Sequence, residues 1–268
     1  MSYTYQRYMG KIAIANGNDL VYWNEDNGSG GVSLQMQVPT DSYYPSDSAG
    51  LIKSLGTTIA EQMTIESSFG GDSITYTFAL DNSTGISTFT ASAGVFFFEI
   101  TAAQTFKLLS GGDATAGSQG VNHFGWYADS VYPAAAATQS SDTAPDCCWF
   151  PNQPLATYDE GQSESTSVQA VSMGGKVVSY DFSGRSDYLK TENLSYERIN
   201  QTSRTQFESA FWLYAKTGGE FRFHRDRPSA TYTEMVLTGS TLNAPEITRS
   251  DPSLSRWSLP VTMRTYKP

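Results

Sequence analysis

The chain has 268 residues, 17 Lys plus Arg against 27 Asp plus Glu, a formal net charge of −10, two Cys and two His. This balance excludes a protein that depends on phosphate-backbone contacts, which need clustered Lys and Arg. The length allows a core without disulfide staples, and the low charge content with abundant aromatics, Gly, Ser and Thr predicts a β-rich chain.

Cys147 and Cys148 are adjacent, so they close no loop, and a disulfide-rich module is excluded. They are expected to be reduced and packed beside Trp149 and Phe150. His123 and His224 are far apart and belong to no zinc pattern. No metal and no cofactor is expected. The stretch from Met1 to Tyr8 has no apolar run for an export signal, and no segment approaches the length of a membrane span. The expectation is a protein made in a cytoplasm, without membrane insertion. Asn-x-Ser/Thr triplets at Asn27, Asn82, Asn193 and Asn200 are what chance supplies in a chain so rich in hydroxyl residues.

In chain order, Asp26-Asn-Gly-Ser-Gly-Gly31 is the first turn signal. It lacks the alternating ligands and closing Glu of a calcium loop, so a hairpin is favoured over a metal site. Val32, Leu34, Met36 and Val38 alternate as one face of a strand. Asp47 is a candidate cap for a helix at about 47–64 carrying Leu51, Ile52, Leu55, Ile59 and Met63. Ile74, Tyr76, Phe78 and Leu80 form a second strand face, and Asp81-Asn-Ser-Thr-Gly85 a second turn. Val95-Phe-Phe-Phe-Glu-Ile100 is denser in apolar residues and suits a strand covered on both faces. Ser110-Gly-Gly-Asp113 is a further turn, and Gly117 to Trp126, which includes His123, is favoured as a Gly-rich turn before an aromatic strand.

Residues 131–145, with small and polar residues and two prolines, are expected to be a linker or exposed loop. Gly174-Gly175 marks a turn before a strand carrying Val178, Tyr180 and Phe182. A second helix is expected at about 203–217. It has Gln206 three residues after Ser203, an inward stripe of Phe207, Ala210, Phe211 and Tyr214, and a stop at Gly218-Gly219. That stripe is favoured as core packing over a cofactor box. Trp257, Leu259, Val261 and Met263 alternate in the last predicted strand. The fold class is therefore mainly β, with two β-sandwich or barrel-like domains and two short helices packed on the sheets. The domains are residues 1–135 and 145–268.

Chemistry-bearing motifs are scarce. There is no nucleophile elbow and no phosphate-cradling loop. The paired carboxylates Glu25-Asp26 and Asp159-Glu160 are sequence neighbours, which says nothing about facing each other across a cleft. No catalytic residue is expected. The concentrated positive charge is Phe221-Arg-Phe-His-Arg-Asp-Arg227. Alternation turns Phe221 and Phe223 to one face and Arg222 and His224 to the other, while Asp226 can pair with Arg225 or Arg227. In an acidic chain, Arg222, His224, Arg225 and Arg227 are the candidate protein–protein contact, with a solvated strand end as the alternative.

The order from Val178 to Asp226 resembles structural proteins at the distal end of long-tailed bacteriophage tails. It runs Val178 to Leu189, Leu194-Ser-Tyr-Glu-Arg198, Phe207-Glu-Ser-Ala-Phe-Trp-Leu-Tyr214, Gly218-Gly219 and Glu220-Phe-Arg-Phe-His224. In that class a strand leads to a short helix and a return strand. Ile86 to Phe98, followed by Ala103-Gln-Thr-Phe-Lys-Leu-Leu109, is similar to a virion-protein pattern of a strand pair before a short helix, with Ser110 in place of its usual Gly. The resemblance implies a virion structural protein of the distal tail or baseplate, a homo-oligomeric ring, and tube, hub and fibre proteins as partners. It implies no catalytic residue and no direct nucleic-acid binding. The competing readings are a carbohydrate-binding module or tail-tip receptor-binding protein, for which 5 Trp and 16 Tyr supply stacking surfaces, and a hydrolase.

Overall fold

A computed structural model describes residues 5–15, 17–46, 54–99, 135–141, 148–151, 154–163, 167–171, 177–181, 189–240 and 256–265. In chain order the elements are β1 (Arg7–Gly10), β2 (Ile12–Ala13), β3 (Leu20–Asp26), β4 (Val32–Gln37), β5 (Ser42–Tyr43), α1 (Leu55–Gly70), β6 (Tyr76–Leu80), β7 (Ser87–Ala91), β8 (Val95–Phe98), β9 (Thr138–Ser140) and β10 (Cys148–Trp149). They continue with β11 (Thr157–Ser163), β12 (Ser167–Val171), β13 (Val177–Asp181) and β14 (Leu189–Ile199). The second helix starts as α2 (Gln201–Gln206), widens into a π-helical stretch (Phe207–Trp212) and ends as α3 (Leu213–Ala215). β15 (Phe221–His224), β16 (Thr233–Ser240) and β17 (Trp257–Thr265) follow.

The molecule is mainly β, and its sheets are open; no closed barrel forms among the described residues. A seven-stranded antiparallel sheet has the order β10-β1-β15-β16-β17-β14-β11. Two three-stranded sheets, β4-β3-β8 and β6-β7-β9, join through a bridge between Phe96 and Ala136. The first strand therefore belongs to a sheet otherwise built from Cys148 onward. Within the expected linker, Thr138–Ser140 is a strand beside β7, with Gln139 buried and donating to the Phe96 carbonyl at 2.6 Å.

Two apolar cores result. The first gathers β3, β4, β8, the β6–β7 pair and the inward face of α1. Ser54 caps α1, its hydroxyl accepting from the Thr57 amide at 3.2 Å. Leu55, Ile59, Met63 and Ser67 repeat every four residues and are all buried. Expected residues Asp47, Leu51 and Ile52 lie outside the described residues. A Cβ on Gly56 would sit 2.2 Å from the Phe78 ring, so only glycine lets the helix approach β6 this closely.

The second core lies between the seven-stranded sheet and the second helix. Phe207, Phe211 and Ala215 fill it together with Tyr8, Trp149, Phe221 and Leu259. Of the expected stripe, Phe207 and Phe211 are core packing and Tyr214 lies partly buried against them, while the Ala210 side chain lies outside the described residues. Asn200, not Ser203, is the cap: its side chain accepts from the Ser203 amide at 2.8 Å. Gly218, at φ +87°, closes the helix by donating to the Ala215 carbonyl. In β17 all four alternating apolar residues are buried, as expected. In β8 Phe96 and Phe98 are buried while Val95 and Phe97 are half-buried, so the second face of this strand is covered only in part.

Candidate contact surface and buried polar centres

Alternation along β15 places its side chains as expected, but both faces are covered. Phe221 and Phe223 enter the second core beside Tyr8, with ring centroids 5.8 and 5.2 Å away. Arg222 and His224 point the other way, where Tyr44 and Tyr232 cover Arg222, and Arg7 and Tyr232 cover His224. Arg222 lies 3.9 Å from the Tyr44 ring centroid and 4.2 Å from that of Tyr232. It faces Glu234 across the sheet. His224 faces Arg7 on β1, whose guanidinium reaches the imidazole Nδ1 at 3.0 Å and the Ser229 carbonyl at 3.0 Å. The chain itself therefore buries Arg7, Arg222 and His224. Burial lowers the His224 pKa to about 3, with the Arg7 charge acting in the same direction. Burial lowers Arg7 to about 10, with Arg222 adding to the shift.

Arg225 and Arg227 sit beyond the strand. Arg225 is 55% exposed at its side chain and donates to the Glu192 carboxylate at 3.0 Å, while its guanidinium lies 4.9 Å from the Tyr158 ring centroid. Arg227 donates to the Gln6 and Pro151 carbonyls and lies 4.9 Å from the Tyr5 ring centroid. Neither arrangement uses Asp226, whose carbonyl instead accepts from the Ser229 amide. Of the four candidate contact residues, Arg225 is exposed beside the partly buried Tyr158, and Arg227 is half-buried beside Tyr5. The structure places Arg222 and His224 inside.

A second polar centre was not singled out by sequence. Val21, Trp23 and Glu25 alternate on the buried side of β3, so the pleat that buries Trp23 also carries the Glu25 carboxylate inward. Glu25 is fully buried and accepts four hydrogen bonds. Its Oε1 takes the Ser67 hydroxyl at 2.6 Å and the Asp72 amide at 2.7 Å, and its Oε2 takes the Tyr76 hydroxyl at 2.6 Å and the Trp23 indole at 3.2 Å. The Tyr76 hydroxyl is pushed well above its ordinary pKa, first by burial and then by its bond to Glu25. A Cβ on Gly71 would lie 2.1 Å from Glu25 Oε1, so glycine is needed where the chain passes the carboxylate. The Glu25-Asp26 pair in the sequence was the available signal, but adjacency hid that the two carboxylates point apart. Asp26 serves the hairpin, accepting the amides of Gly28 at 2.7 Å and Gly30 at 3.2 Å.

Both polar centres are closed and tie elements together. No group of three His, Cys, Asp or Glu able to hold a metal occurs among the described residues. No helix among them is long and apolar enough to cross a membrane. Cys148 is a free, buried thiol beside Met9, and Trp149 packs in the second core; Cys147 lies outside the described residues, as do His123, the string from Gly117 to Trp126, and Ala103 to Asp113.

No family model matches the chain. No curated protein matches it either. Among solved structures, the chain is similar to one in the tail of an empty GTA particle computed with helical refinement and C6 symmetry. The identity is 13%, the match covers 42% of this chain and 78% of that chain, and the TM-score is 0.26.

Proposed function

We propose that the chain is a structural protein of a bacteriophage tail, a component of the distal tail or baseplate ring that joins the tail tube to tip or receptor-binding proteins. The observation that carries this reading is the unit from Leu189 to His224. It is one long strand, a helix laid on the sheet by Phe207 and Phe211, a Gly218 stop, and a return strand in the same sheet. That is the order in which the sequence resembles the distal tail class. The polar chemistry of the molecule supports a scaffold rather than an enzyme. Glu25 and the Arg7–His224 pair are enclosed, and their hydrogen bonds join strands and turns distant in sequence.

In this reading the partners are further copies of the chain and the tube, hub and fibre proteins, and the location is the virion tail. Interrupting the reading frame in a phage that encodes it tests the proposal. The expected result is heads without completed, infective tails, restored by supplying the protein in trans. Full-length infective tails without it would overturn the reading.

A further inference from the structure

Arg7 is 1% exposed, and no carboxylate among the described residues pairs with it. Its Nη2 donates to the His224 imidazole and to the Ser229 carbonyl, while its Nε and Nη1 are buried with no acceptor. On the same face of the seven-stranded sheet the register sets Arg222 diagonally across from it, and the two charges oppose each other. The carboxylates of this region are committed elsewhere. Glu234 faces Arg222 across the β15–β16 pair, Glu220 pairs with Lys11, and Glu192 pairs with Arg225. Opposite Arg7 stands His224, an imidazole that burial and then the Arg7 charge keep neutral. Matching each of these cations to its carboxylate leaves one positive charge over, on Arg7.

We propose that Arg7 holds a small inorganic anion, seated against its unpartnered N–H groups on the sheet face that it shares with Arg222 and His224. A guanidinium does not shed its proton in a protein, so a buried one is stabilised by a counter-charge rather than by neutralisation. Water would satisfy the N–H donors but leave the charge uncompensated, and Arg222 adds to that charge. A delocalised charge with free N–H donors takes an oxyanion such as phosphate or sulfate, and equally a halide. The chain covers Arg7, Arg222 and His224 almost completely, which limits the ligand to ions of this size and makes local opening its route of entry. Bound there, the anion ties β1 to β15 and to the turn at Ser229, so the hold of the first strand on its sheet depends on the anion. The inference is independent of the tail reading.

The test uses the whole chain, dialysed into gluconate, an organic anion too large for an enclosed site. Chloride and inorganic phosphate are then titrated separately at constant ionic strength, with the thermal midpoint and the heat of binding as readouts. In the wild type the midpoint should rise and saturate, as it does for a ligand that binds only the folded chain, and calorimetry should give one anion per chain. Saturation with chloride assigns a halide, and saturation with phosphate alone assigns an oxyanion. Arg7→Gln keeps a donor toward His224 and Ser229 but removes the charge, and should weaken binding by at least about 10-fold. Arg225→Gln, which alters an exposed cation outside the site, should keep the full response. A wild type with no saturable response to either anion overturns the inference without reference to any variant. So does a midpoint that climbs without saturating, the mark of general exclusion from the surface. A response lost in Arg225→Gln would place binding on the surface and overturn it too. A response seen only in Cys148→Ser would give the counter-charge to that thiol instead, since Cys148 also acts on Arg7, and would likewise overturn it.

Discussion

Glu25 gathers four hydrogen-bond donors inside the first core. Replacing it by Ala removes an acceptor from four donors contributed by β3, the end of α1, the Asp72 turn and β6. The Ser67 hydroxyl also accepts the Ile74 amide at 2.8 Å, so the loss propagates into the segment entering β6. A buried donor left without a partner costs about 1–3 kcal/mol. Four such costs do not add fully, because water enters the vacated space and the desolvation of the carboxylate is recovered. The expected net loss is about 3–5 kcal/mol, comparable to breaking one side of a buried charged pair. Against a typical domain stability of about 5–15 kcal/mol this is a large fraction. Glu25→Gln keeps the shape but turns an amino group toward two donors, and should cost about 2–3 kcal/mol. The assay is urea unfolding followed by tryptophan fluorescence, where an m-value of about 3 kcal/mol/M turns the alanine loss into a midpoint shift of about 1–2 M. Tyr76→Phe in both backgrounds should reveal positive coupling between the two residues. An alanine variant that loses less than about 1 kcal/mol would refute the argument that this carboxylate holds the core together.

His224 is held neutral in the folded chain, with a pKa of about 3 against an ordinary 6.5. The unfolded chain then binds the extra proton more readily between those values, so this contribution to stability is complete above pH 6.5 and is lost as pH falls toward 3. His224→Gln should make the urea midpoint less steep between pH 4 and 6; an unchanged slope would count against burial of this imidazole. Gly56→Ala should destabilise by about 1–3 kcal/mol through collision with Phe78, read as a lower thermal midpoint, and a neutral result would mean the ring moves freely. Cys148 should react with a thiol reagent only after unfolding, and rapid native labelling at this position, with Cys147 replaced by Ser, would contradict its burial.

Much of the fold was legible because local rules and tertiary demands agree. In β17, Trp257, Leu259, Val261 and Met263 follow the pleat, and the burial follows them. Of the expected stripe Phe207, Ala210, Phe211 and Tyr214, the aromatic pair Phe207 and Phe211 is buried and Tyr214 packs partly buried beside it, although the backbone widens there to a π-helical form and the buried Ala215 was not foreseen. Other features depend on distant partners. Arg7 to Gly10 carries no mark that its neighbours are Cys148–Trp149 and Phe221–His224. The helix was expected to end near residue 64, because the polar Ser67 looks like a surface residue until Glu25 is known to lie opposite it. The same blindness applies to Arg222 and His224. Alternation fixed the face they point to, but not that Tyr44 and Arg7 cover it. Glu25 was visible only as half of the Glu25-Asp26 pair, for a related reason: a charged residue at a core position breaks the apolar pattern that identifies a core.

The most direct test of a role in the tail is gold labelling of intact virions through a tag on an exposed loop of this protein, viewed by electron microscopy. Gold should cluster at the distal end of every tail. Virions that carry no label, or carry it on the head alone, would contradict that role.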